Sequence, residues 1–131
     1  MDMEITFPGE ARVNAQFKGF NISTDQPVAE GGAGTTPAPF DLFLVSLGTC
    51  TGYYIMMFCQ RNTLPTKGIK LVMKDERNPL THLVETIHID IKVPKNFPEK
   101  YQKALIRSAE VCTVKRNLEK PPTFDIIVTK L

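Results

Sequence analysis

Three cysteines, Cys50, Cys59 and Cys112, are the strongest nucleophiles in this 131-residue chain. A thiolate can attack a peroxide or a disulfide and can bind a soft metal, whereas a thiol buried among apolar groups only packs. Packing is the reading against which each must be weighed. Cys50 and Cys59 share one apolar run and stand nine residues apart. On a helix, with about 100° and about 1.5 Å per residue, that spacing is half a revolution and roughly 13 Å along the axis. A disulfide needs Cα atoms within about 7 Å, so these two cannot bond to each other. Any dithiol within the chain then pairs Cys112 with one of them. Cys50 is the better candidate, because Leu47-Gly48-Thr49-Cys50-Thr51-Gly52 surrounds it with small side chains that admit close approach. Cys59 follows Met56, Met57 and Phe58, as ordinary core does. Cys112 falls where one helical pattern ends and a second, Thr113 to Leu118, begins; a sulfur at a helix start gains thiolate character from the unpaired amides and the helix dipole.

Other chemistry is poorly supplied. No Cys-x-x-Cys or Cys-x-x-His occurs, and His82 and His88 have no ligand spacing, so no metal is expected and both read as surface or strand residues. Gly31-Gly32-Ala33-Gly34 lacks the lysine and the preceding strand of a phosphate loop, which argues against nucleotide binding. Sixteen Lys and Arg against fourteen Asp and Glu leave a net charge of +2, with no basic block longer than Lys115-Arg116. That is too little to draw nucleic acid or an anionic membrane. An odd cysteine count and an acidic opening, MDMEITFPGEAR, predict a reducing, cytoplasmic setting.

The elements that must position the sulfurs follow from periodicity. Ala11, Val13, Ala15 and Phe17 alternate with polar residues, a half-buried strand that Gly19 turns into a hairpin. Residues 23–39 are rich in Gly, Pro, Ser and Thr and read as a long loop or crossover of the kind that tends to serve an interface. Phe40 to Cys59 is the most apolar stretch and predicts a helix. Asp41, Ser46, Thr49, Thr51 and two glycines argue against a membrane span, so the helix is expected at the centre of a domain, wrapped by sheet or by a partner chain. Gly68–Lys74 and Val84–Val93 alternate as two strands joined around Asn78-Pro79, Pro98–Glu110 reads as a helix, and Phe124–Val128 as a short closing strand. Length and order predict one domain over residues 1–131, of α+β class, with antiparallel sheets packed around a central buried apolar helix.

Gly31 to Pro37, Phe40-Asp41-Leu42, the segment Leu47 to Gly52, and Cys112-Thr113-Val114 some sixty positions on together resemble the OsmC/Ohr family, the osmotically inducible and organic hydroperoxide resistance proteins. The resemblance runs over nearly the whole chain. It implies an intertwined homodimer with both sites at its interface, a role in stress response, and reduction of small organic hydroperoxides by a cysteine pair. Cys50 would be the thiolate that attacks the peroxide and becomes a sulfenic acid, and Cys112 the thiol that condenses with it to a disulfide. A dithiol or a lipoylated protein would then reset the pair, with no resident cofactor. Arg12 would be the cation beside Cys50, since the family draws an arginine from this region. Two positions depart from the family pattern. The acid that pairs with that arginine stands ten residues before the first cysteine, where this chain has Phe40, with Asp41 one step later. A proline usually follows the second cysteine, where this chain has Thr113. Asp41 is then either the displaced acid or a first-turn partner of the helix dipole. The expected activity is a cysteine-based peroxidase, with Phe40, Phe43, Leu47, Tyr53, Tyr54 and Met57 offering an apolar pocket. A non-catalytic member of the same fold, holding an apolar ligand at the dimer interface, is the rival; a general thiol-disulfide oxidoreductase would want a Cys-x-x-Cys.

Overall fold

The alternating N-terminal residues form three strands: β1 (Glu4–Gly9), β2 (Arg12–Phe17) and β3 (Phe20–Thr24), paired antiparallel in the order β1-β2-β3. The computed structural model describes residues 1–131. Lys18 and Gly19 both have positive φ, 49° and 80°, the conformation that a tight two-residue hairpin turn requires, and Phe17 pairs with Phe20 across it. The alternation from Ala11 to Phe17 is β2; ahead of it the chain reverses at Gly9, φ 140°, and Glu10, φ 55°, which sets β1 beside it as an edge strand.

The glycine-rich loop after β3 is organised around one carboxylate. Asp25 is 1% exposed. Its Oδ1 accepts from the Gln26 amide at 2.8 Å, and its Oδ2 accepts from the amides of Ala33 at 3.3 Å and Thr35 at 3.1 Å and from the Thr35 hydroxyl at 2.8 Å. The Thr35 amide, the Thr35 hydroxyl and the Gln26 amide, in that order, hold its pKa down to about 2. Gly32 lies so close beneath this ring that a β-carbon there would sit 1.9 Å from the Gln26 carbonyl oxygen.

Helix α1 (Pro39–Arg61) follows. The chain divides into two compact units, Met1–Val45 and Ser46–Leu131, and the division falls within this helix. In the second unit, β4 (Lys70–Arg77) and β5 (Val84–Lys92) make an antiparallel hairpin, followed by a single 3₁₀ turn at Glu99–Tyr101, α2 (Gln102–Glu110) and α3 (Thr113–Glu119). The hairpin turn is held by Asn78, whose Oδ1 accepts from the amides of Leu80 at 2.8 Å and Thr81 at 3.0 Å. Register sets Leu71 opposite Ile91 and Met73 opposite Ile89. The core of this unit is Ile55, Cys59, Phe97 and Leu105, with Ile69, Leu71, Ile91 and Val93 of the hairpin region packed on it. Burial of such side chains stabilises by about 1.5–3 kcal/mol each.

On α1 only the stripe Leu47, Thr51, Ile55 and Cys59, every fourth residue, is buried. Thr51 is satisfied there by donating to the Leu47 carbonyl at 2.8 Å. Phe40, Val45 and Tyr53 remain exposed, so within one chain the helix is covered along one face rather than all round. By length and composition alone α1 could cross a membrane. The segment after α3 also differs from the sequence reading. Phe124 to Val128 forms no strand, and Phe124, Ile126, Ile127 and Val128 are at least 76% exposed, because no sheet edge of the chain pairs with them.

Candidate active site

The second unit brings Cys50 and Cys112 together across 62 positions of sequence. Cys50 lies on α1 at the edge of its buried stripe and is partly exposed; Cys112 is 1% exposed and is the N-cap residue of α3, with φ −53° and ψ 128°. Its side chain makes no capping hydrogen bond, which leaves the thiol available to donate to Cys50. The two are free thiols. Burial, the largest single influence on Cys50, raises its pKa. The Val114 amide, the Cys112 thiol, the Thr113 amide and the Thr113 hydroxyl all donate to the sulfur and outweigh burial, so the pKa falls below that of an ordinary cysteine. The lowering therefore comes from neutral hydrogen-bond donors.

The sequence places thiolate character at Cys112 through the start of the following helix. The structure directs those amides, of Thr113 and Val114, at Cys50 instead. Sequence reasoning paired these two sulfurs, which the structure brings together, and missed Thr113 and Val114 as the donors around Cys50. The available signal was position: the residues that follow an N-cap have amides without intrahelical partners. A further contact surrounds the pair. Tyr54, one turn after Cys50 on α1, has its hydroxyl 2.7 Å from the Thr113 hydroxyl.

Arg12 and Asp41 belong to the first unit. Arg12 opens β2 opposite Gly9, with its side chain exposed. Asp41 lies in the first turn of α1, where its Oδ2 accepts from the Ala38 amide at 2.9 Å and closes the start of its own helix. Cys59 is fully buried, and desolvation pushes its pKa up. Gly48 gives the close approach that its neighbourhood suggested: the Met73 sulfur lies 2.9 Å from where a β-carbon would be, while Gly52 has nothing within 4 Å.

A cavity of about 570 Å³ opens beside Cys112, lined by Leu47 and Thr51 of α1, Ile87 and Ile89 of β5, and Ile106 of α2. Of the six residues expected to form an apolar pocket, only Leu47 lines it; β5, α2 and α3 supply most of the rest, since the hairpin's apolar face is turned toward α1 and α2. Asp90, Glu110 and Lys115 add charge to its lining.

The model of the OsmC-like protein family matches residues 31–127, which include the Asp25-bound glycine run, both sulfurs and their donors. The chain belongs to the OsmC family. Among solved structures, this OsmC-family chain is similar to a proposed osmotic-stress-induced and detoxification response protein from Psychrobacter arcticus, with TM-score 0.76 and 25% identity over 88% of this chain and 85% of that one. It is also similar to an OsmC-like protein from Mycoplasma pneumoniae, with TM-score 0.68 and 16% identity over 92% and 87% of the two chains. An organic hydroperoxide resistance protein from Legionella pneumophila matches with TM-score 0.57 and 16% identity over 89% and 87%. No protein of curated function matches the sequence. The α+β class, the antiparallel sheets and the OsmC-like fold expected from the sequence are all present.

Proposed function

We propose that this OsmC-family chain is a cysteine peroxidase that reduces organic hydroperoxides in the cytoplasm. The observation that carries the reading is the meeting of Cys50 and Cys112, with Cys50 held toward its thiolate by donors at the start of α3. The Cys50 thiolate attacks the terminal peroxide oxygen of ROOH, the O–O bond breaks, and RO⁻ takes a proton to leave as ROH. The terminal oxygen and its proton stay on sulfur as the sulfenic acid. The Cys112 thiol then displaces water from that sulfenic acid, forming the Cys50–Cys112 disulfide. An external dithiol, free or as a lipoyl group on a protein, reduces the disulfide by exchange. Family membership supports the reading, as does the likeness in fold to a protein named for organic hydroperoxide resistance. Arg12 and Asp41 enter as the family's expected cation and acid, with Asp41 also serving as a cap.

The working form is proposed to be a homodimer. Phe124, Ile126, Ile127 and Val128 are exposed on a terminal segment without secondary structure, and Val45 and Tyr53 are exposed on α1. Exposed apolar side chains of this kind mark an interface, and a second copy offers open sheet edges to the segment 124–128. Sedimentation equilibrium is expected to give twice 14.7 kDa at micromolar concentration; a monomer mass removes this part of the proposal.

The cavity of about 570 Å³ favours a second reading, in which the chain holds an apolar ligand and turns nothing over. Saturating cumene hydroperoxide separates the two. Titrated in denaturant after the reaction, the peroxidase has lost two thiols per chain, keeps one, and yields a Cys50–Cys112 disulfide on peptide mapping. An unchanged titre of three ends the peroxidase reading and leaves the binding protein.

A further inference from the structure

We propose that Thr113 and Tyr54 form a hydroxyl relay that donates to the Cys50 sulfur and tunes its ionisation, with Thr113 in contact with the reacting atom and Tyr54 as the residue that positions Thr113. The inference deepens the peroxidase reading and rests on it for its biological use. The Tyr54 and Thr113 oxygens are 2.7 Å apart, on α1 and at the first position of α3. A threonine hydroxyl has one proton and can accept as well as donate. A thiolate only accepts. If Thr113 donated to Tyr54, it would have no proton left for sulfur, so the one arrangement that satisfies both contacts runs from the Tyr54 O–H to Thr113 and from the Thr113 O–H to Cys50 Sγ. Donors in series polarise each other, which strengthens the inner bond.

Position supports the assignment. Tyr54 follows Cys50 by four residues, so one turn of α1 places its ring alongside the sulfur, and Thr113 directly follows the second cysteine. A proline at position 113, which has neither hydroxyl nor amide hydrogen, would remove both of the donors that Thr113 gives Cys50. The threonine is thus a specific supply of donors at the place where the two sulfurs meet. The relay is built from neutral groups.

The test is the pH dependence of Cys50 alkylation by iodoacetamide in the full chain, with the label located by peptide mass. Losing a donor destabilises the thiolate and raises the pKa. Thr113→Val is expected to move the midpoint up by about one pH unit, the size of one hydrogen bond to a charged group. Tyr54→Phe is expected to move it up by less, and Thr113→Ser to restore the wild-type midpoint. Should valine prevent folding, as read by circular dichroism, Thr113→Ala makes the same comparison. An unshifted midpoint in Thr113→Val and Thr113→Ala, or in Tyr54→Phe, overturns the relay. Alkylation needs no hydroperoxide, so a chain without peroxidase turnover still decides the relay, and the two failures stay distinguishable.

Discussion

Cys50→Ser is expected to lower dithiothreitol-dependent consumption of cumene hydroperoxide by at least about a thousandfold, because a serine hydroxyl at neutral pH is neither ionised nor a comparable nucleophile toward oxygen. Cys112→Ser has a different signature. Serine keeps a donor beside Cys50, so the first turnover proceeds, but no thiol is left within the chain to condense with the sulfenic acid. That acid should persist long enough to be trapped with dimedone on Cys50, while steady turnover falls and the enzyme overoxidises under excess peroxide. The measurement is a coupled peroxide assay with mass spectrometry of the Cys50 peptide. Undiminished consumption in both variants would place the chemistry elsewhere.

Gly32→Ala is expected to cost about 2–3 kcal/mol of stability, at the upper end of what overpacking a close-fitted site usually costs. The added methyl carbon would lie 1.9 Å from the Gln26 carbonyl oxygen, 2.5 Å from its carbon and 2.8 Å from Asp25 Oδ1. Two of those atoms are backbone and the third is locked by hydrogen bonds, so none can move aside as the end of a flexible side chain could. Gly31→Ala is a useful contrast. It has open space around it, and its cost comes only from φ 92°. A urea midpoint for Gly32→Ala within error of wild type would mean that the loop rearranges at little cost.

Much of the fold could be read from spacing. Alternation at Val13, Ala15 and Phe17, the turn at Gly19, the apolar run from Phe40, and the facing patterns Leu71/Met73 and Ile89/Ile91 all became the expected elements. These signals are local, because a half-buried strand or helix has to repeat with its own period. One expected element is missing: Phe124 to Val128 has strand-forming residues but pairs with no strand of its own chain. Asp25 gave no sequence signal, since its four donors come from as far as ten residues on, in a loop without periodicity. At the site, residue type and context favoured Cys50 over Cys59, and elimination required Cys112 in any pair. Which amides would face which sulfur could not be read, because it depends on how α3 begins relative to α1. That also hid Thr113 and Tyr54.

The single buried stripe of α1 carries a practical corollary. It seals Cys59 completely and leaves Cys50 at its border, so one helix bears a sulfur open to reagents and another shielded from them. Modification of Cys59 reports loss of the native state, while modification of Cys50 proceeds within it. Every labelling experiment on this chain therefore contains its own internal standard.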